Sequence, residues 1–284
     1  MGGPRVSTYE DYTSTSLHYD TTRWALGAEI VLGCLASGAT ALADVVLLDA
    51  GCGTGNYAAA VLPHVARIEA LDASDAMLEV AGTKLSQARD AGRIRFSKGS
   101  VDALPFDDAS VDAVMVNQVL HHLGDDADVG WERHRRVVGE FARVLRPGGT
   151  LVVNTCSQVQ LRDGYWYYSV IPRAATAVRR RCAPLAVLEG IMINRGLSLL
   201  GRFVPVDGVI QGDAYFDVRG PLRDDWRSGD STWALVEPDE LAAAQTELAA
   251  LDERGELADD VARRDARRPD VGQITFVAAR HERS

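Results

Sequence analysis

The 284-residue chain is short of lysine, of paired cysteines and of long apolar runs. Of its 30 basic residues only Lys84 and Lys98 are lysines, and acids outnumber bases to leave a net charge of −10. Such a chain repels phosphate backbones, so nucleic acid is not the expected partner. The four cysteines, Cys34, Cys52, Cys156 and Cys182, form no C-x-x-C pair, which excludes a zinc ribbon and a disulfide framework; no metal is expected. The longest apolar stretch, Trp24 to Ala36, is broken by Glu29 and Gly33 and is too short to span a bilayer, so no membrane partner is expected either. Met1 to Glu10 lacks the apolar core of a secretory signal. With 46% hydrophobic and 25% charged residues the composition is that of a globular protein. A cytoplasmic enzyme, monomeric or homodimeric, is the expectation.

Aromatics come early, at Tyr9, Tyr12, Tyr19 and Trp24, and an apolar helix-like segment runs to about Gly38. Residues 1–42 therefore read as a helical cover. From Val45 strands and helices alternate. The apolar run 45–50 reads as a strand covered on both faces. Residues 67–72, 93–99, 111–117 and 150–155 read as four more strands, and Ser74 as the cap of a helix between the second and third. A helix over 129–145 is expected to stop at Pro147-Gly148-Gly149. Alternation of this kind predicts a parallel, doubly wound sheet in a domain over 43–284. Beyond residue 156 the rhythm breaks. A helical pattern covers about 184–200, a sixth strand is expected over 203–211, a charged helix or helix pair over 238–266, and a last strand over 273–280. Residues 157–182 and 212–272 are then the segments free to cap a substrate.

The strongest local signal is Leu48-Asp49-Ala50-Gly51-Cys52-Gly53-Thr54-Gly55-Asn56, where a buried strand meets a helix. Glycines there permit a tight turn and close approach of a ligand to the backbone. A dinucleotide fingerprint wants its third glycine at position 56, and a phosphate-cradling loop wants Gly-Lys-Ser/Thr; neither is present. Asp49 at the mouth of the loop repels pyrophosphate and suits an ammonium group. Asp72 ends the next strand, 21 residues after Gly51, where an acid accepts hydrogen bonds from ribose hydroxyls; a turn or helix cap is its structural alternative. Asp102 follows the third strand, where a carboxylate can accept from the exocyclic amine of adenine beside Val101 and Ala103; an ordinary loop acid is the alternative.

The motifs DAGCGTG, LDAS, GSVDALPF, VNQVLHHL and LRPGGTLVV, in this order, resemble the class I S-adenosylmethionine-dependent methyltransferases over about residues 40–156. The resemblance implies a Rossmann-like seven-stranded α/β sheet with its last strand antiparallel, and a helical insertion before that strand. It implies S-adenosyl-L-methionine as cofactor: the methionine moiety at Asp49, Gly51, Gly53 and Gly55, ribose at Asp72 with Ala73 beside it, adenine at Asp102 and Ala103, and the sulfonium near Asn117 and Gln118. A small-molecule acceptor is the partner expected. His121, just past the fourth strand, is the candidate base, since imidazole moves protons near neutral pH; packing is its other reading. His122, Tyr165, Trp166, Arg227 and Trp233 are the candidate substrate contacts. Two rivals stay open. An RNA or protein methyltransferase needs a basic patch, for which Arg173 and Arg179–Arg181 are the dense run. A catalytically silent cofactor-binding module on the same fold is the other.

Overall fold

The computed structural model describes residues 24–282. Tyr9, Tyr12 and Tyr19, with the first 23 residues of the expected cover, lie outside the described residues. In chain order the elements are α1 (Ala28–Ala36), β1 (Val46–Ala50), α2 (Asn56–Val61), β2 (Arg67–Asp72), α3 (Asp75–Lys84), α4 (Ser86–Asp90), β3 (Ile94–Lys98), β4 (Val111–Asn117), α5 (Glu132–Val144) and β5 (Leu145–Thr155). There follow α6 (Gln158–Asp163), α7 (Pro172–Arg181), α8 (Leu185–Ile193), β6 (Leu197–Phe203), α9 (Asp224–Arg227), α10 (Pro238–Glu253), α11 (Leu257–Asp265), α12 (Arg268–Val271) and β7 (Thr275–His281).

The seven strands form one sheet in the order β3-β2-β1-β4-β5-β7-β6. β1 to β5 are parallel, and β7 runs antiparallel to both β5 and β6. Both faces are covered, which explains the unbroken apolar strands. Leu47, Met115, Phe276 and Ala278 belong to the core on one face; their neighbours Leu48, Val114, Val116 and Val277 belong to the core on the other. The chain winds outward from β1 to β3 and then returns to start β4 beside β1. The carboxyl ends of β1 and β4 therefore flank a crevice at the point where the winding reverses, the place where sheets of this kind bind ligands.

The strands over 45–50, 67–72, 93–99, 111–117, 150–155 and 273–280 fall where the sequence places them. The Ser74 cap is present, its Oγ accepting from Met77 N at 3.3 Å. Three expectations are corrected. Helix α8 stops at Ile193, Gly196 turns the chain at φ +75°, and the sixth strand occupies 197–203 rather than 203–211. A run of Leu and Ile fits either period, and only pairing with β7 decides it. Pro205 offers no ladder donor, so the strand ends and 204–211 crosses the sheet edge as coil. The insertion before β7 thus begins at residue 204, not 212. Finally, Pro147-Gly148-Gly149 lies inside β5, whose register against β4 shifts between Val111 and Ala113.

The segment after β5 and the insertion pack as one unit. Tyr167 meets Trp226 at 5.3 Å and Trp233 at 6.0 Å between ring centroids, and Trp166 Nε1 donates to the Tyr215 carbonyl at 3.1 Å. Among the described residues no helix is long and apolar enough to cross a membrane. Phe276 of β7 is fully buried, with its ring against Gly27. Phe276→Ala is expected to cost about 3–5 kcal/mol in urea unfolding, the range for a large core aromatic.

Candidate active site

The loop between β1 and α2 takes its shape from three glycines and one acid. Gly51, Gly53 and Gly55 have φ of +80°, +53° and +80°. A Cβ at Gly51 would stand 2.5 Å from Val119 Cγ2, so that position admits only glycine. The Leu71 carbonyl accepts from Gly51 N at 2.7 Å and from Cys52 N at 3.0 Å. Asp72 then clamps the turn: Oδ2 accepts from Gly53 N at 2.8 Å and Oδ1 from Ser74 N at 2.9 Å. Burial pushes this carboxyl up, and the N–H groups of Ser74, Gly53 and Ala73 pull it back. Asp72 is thus both a brace and a turn former, and each oxygen keeps a second lone pair.

Asp49, on β1, is buried, and its Oδ2 has no hydrogen-bond partner. Burial first, and the charge of Asp72 second, push its carboxyl up to about 8. The Asn117 side chain at the end of β4 likewise has both polar atoms buried without a partner. Asp49, Gly51, Gly53, Asn117 and Gln118 line one cavity, which Trp24, Tyr57 and Ile210 complete. Asp72 and Ala73 stand behind the loop, and Gly55 heads α2. Asp102 and Ala103 sit beyond β3, outside this cavity. Asp102 accepts from Ser100 Oγ at 2.5 Å and faces the Arg133 guanidinium at 3.8 Å.

A second cavity adjoins the first. Its walls include His121, His122, Cys156, Tyr165, Tyr168 and Asp230. Gln118 and Ile210 line both cavities and form the partition between them. The His121 and His122 rings lie 4.1 Å apart. Burial, then His121, then Arg181 hold His122 well below the ordinary imidazole range, so it is neutral at pH 7. Burial holds the Tyr165 and Tyr168 phenols well above theirs, so both stay protonated. The one acid in the wall is occupied: Asp230 Oδ2 accepts from Tyr167 Oη and from Gln211 Nε2, and Oδ1 from Thr232 N at 2.9 Å. Both Asp230 oxygens are thus hydrogen-bonded, and the rest of the wall offers phenols, imidazoles and thiols.

Of the expected substrate contacts, His122 and Tyr165 reach this cavity. Trp166 does not; it is packed in the core behind. Arg227 and Trp233 line a separate hollow on the far side of Asp230, where Arg227 donates to the Pro221 carbonyl at 2.6 Å and pairs with Asp224. Within the arginine run, Arg173 pairs with Asp239 at 2.6 Å and Arg180 with Asp128 at 2.8 Å. No cluster that could hold a metal exists among the described residues. Sequence reasoning missed Tyr57, Ile210, Asp230 and Thr232, which carry no motif and reach the site only through tertiary packing.

Residues 48–153 match the family described as "Methyltransferase domain". The chain belongs to the class I S-adenosylmethionine-dependent methyltransferase family. It is 33% identical over 122 residues to the uncharacterized methyltransferase YcgJ of Bacillus subtilis (strain 168), covering 43% of this chain and 45% of that protein. It is 31% identical over 185 residues to the ubiquinone/menaquinone biosynthesis C-methyltransferase UbiE of Geobacter sp. (strain M21), covering 57% and 74%. The match spans about half the length of the curated relatives, from 40% to 74%. In fold, a crystal structure described as a putative methyltransferase from an antibiotic biosynthesis pathway of Anabaena variabilis ATCC 29413 superposes with a TM-score of 0.67 at 19% identity, covering 88% of this chain and 96% of that one.

Asp49 carries a linkage that stability measurements can read. Its folded value of about 8 lies above the ordinary 3.8, so between these limits the folded state binds more protons than the unfolded state. Stability then falls as pH rises across that interval. Asp49→Asn abolishes this loss. The variant is expected to match the unaltered protein in urea unfolding near pH 4 and to exceed it increasingly up to about pH 8, above which the difference stays constant.

Proposed function

We propose that the protein transfers a methyl group from S-adenosylmethionine to an uncharged small-molecule acceptor held in the second cavity. The observation that carries this reading is the pair of cavities meeting at Gln118 and Ile210, one with an unpartnered buried acid, the other walled by phenols, imidazoles and one hydrogen-bonded carboxylate. The residues present fit the cofactor. Asp49 supplies a counter-charge for its ammonium group, the N–H groups of the glycine loop and the Asn117 amide receive the amino-acid tail, and the free lone pairs of Asp72 accept from ribose hydroxyls. Asp102 and Ala103 are assigned to adenine. When bound, the cofactor supplies a methyl group on a sulfonium sulfur that departs as a neutral thioether.

The protein's own share is alignment, exclusion of water and removal of a proton. Residues 157–182 and the insertion, including 212–272, close the acceptor cavity; Trp24 and the segment leading into α1 cover the cofactor side. His121 is the base for a proton lost by the acceptor, with its neighbour His122 held neutral and able to hydrogen-bond the same group. Among the described residues the cavity's walls include no lysine or arginine, and the Asp230 carboxylate disfavours an anionic acceptor. An uncharged ring bearing hydroxyl groups fits the phenols and imidazoles, in keeping with the quinone-pathway name of the Geobacter relative. With Arg173 and Arg180 paired to acids, the dense basic run offers less free positive charge to RNA.

Calorimetry with S-adenosylmethionine, followed by detection of the demethylated product over a panel of phenols and hydroquinones, tests the reading. Cofactor binding with no turnover across that panel would favour the silent module. Because Asp49 must ionise to meet an ammonium group, affinity is expected to rise about tenfold per pH unit up to pH 8, with one proton released on binding. His121→Ala is expected to lower kcat by about 10²- to 10⁴-fold and leave cofactor affinity unchanged.

A further inference from the structure

A chain of hydrogen bonds runs beneath the partition, and one end of it sets its direction. The Leu26 carbonyl has no proton to give, so Tyr57 Oη donates to it, at 2.7 Å. With its proton committed, that hydroxyl accepts from Asn154 Nδ2 at 2.8 Å. The Asn154 amide is thereby oriented, and its Oδ1 accepts from Gln118 Nε2 at 2.8 Å. Gln118 Oε1 is left facing the other way, beside the Cys156 thiol at 3.6 Å on the wall of the acceptor cavity. The backbone is pinned as well: Gln118 N donates to the Asn154 carbonyl at 3.0 Å, and Gln118 has φ of +55°, a conformation uncommon outside glycine. An amide that is free to turn presents either its oxygen or its NH2 group; here every link dictates the oxygen.

We propose that Asn154 and Tyr57 are positioning residues that hold the Gln118 carbonyl oxygen at the junction of the two cavities, and that this oxygen favours the cationic cofactor over its neutral demethylated product. This rests on the methyltransferase reading. A carbonyl oxygen attracts a sulfonium and the polarised C–H bonds of its methyl group, whereas an NH2 group in the same place would repel them. Once the methyl has left, the sulfur is neutral and the attraction is gone, which assists release of the product.

The test is the ratio of dissociation constants for S-adenosylhomocysteine and S-adenosylmethionine, measured by calorimetry in the full chain with thermal midpoints checked in parallel. Tyr57→Phe removes the terminal donor with almost no change of shape. It is expected to shift the ratio about 2- to 5-fold towards the product, the size of one weak C–H···O contact. Adding Gln118→Glu, which presents an oxygen whichever way the group turns, is expected to restore the preference. If Tyr57→Phe does not fold, Gln118→Met keeps the volume, removes the oxygen and reads the same ratio. Binding of both ligands with a ratio untouched by these substitutions overturns the inference alone. Absence of binding to either ligand overturns the methyltransferase reading and the inference with it.

Discussion

Two carboxylates buried near one another, one satisfied and one not, give the site its character. Asp72 spends its oxygens on the N–H groups of Gly53 and Ser74, and so shapes the loop. Asp49 has an oxygen with nothing to accept from, and its neighbour's charge raises the cost of its own. An isolated buried carboxylate either takes up a proton or waits for a cation. A phosphate would bring further negative charge to the same place, so a glycine loop resembling a dinucleotide fingerprint suits an ammonium-bearing ligand here better than a pyrophosphate. The displaced third glycine and the acid are two expressions of one preference.

Topology brings the remaining groups to this acid. The winding reverses between β1 and β4, so Asp49 and Asn117 come from adjacent parallel strands and Asn154 from the strand beyond, opposite Asn117. The acceptor side is built differently. Asp230 and Thr232 stand at a short 3-10 turn of the insertion, held in place by Tyr167, Trp226 and Trp233 rather than by a ladder. There the polar groups satisfy one another: Tyr168 meets Thr232 at 2.8 Å, and Gln211 and Tyr167 both meet Asp230. With its carboxylate already hydrogen-bonded, the cavity has hydroxyls and imidazoles to offer.

The cofactor side was legible in the sequence because its chemistry is local. Three glycines, an acid before them and an acid one strand later lie within 24 residues, and strand period and loop spacing place them without knowledge of the whole fold. Two readings failed where tertiary context overrides local pattern. Leu197–Phe203 sets Leu197, Leu199, Leu200 and Phe203 among Ser198, Gly201 and Arg202, and its first residues read as a continuing helix until β7 pairs with them. Trp166 sits in an aromatic cluster that looks like a wall for a planar ligand, yet its indole is spent on the Tyr215 carbonyl. Nothing local to Ile210, Asp230 or Tyr57 marks them, for each enters the site from a different element.

The partition unites the two halves. Gln118 is fixed from the sheet side, by Asn154 and by the strained turn at the end of β4. Ile210 is fixed from the edge: its N–H donates to Gln273 Oε1 at 2.8 Å, beside β7, while the next carbonyl upstream, Val209, accepts from Trp24 Nε1 at 2.8 Å. The partition between the two cavities is therefore held by β4, by β5, by the approach to β7 and by the segment leading into α1. Leu26 of that segment also terminates the hydrogen-bond chain through Tyr57 and packs over Gly208, where a Cβ would stand 2.3 Å from its Cδ1. Leu26 thus ties the cover of the cofactor cavity to the hydrogen-bond chain that orients Gln118.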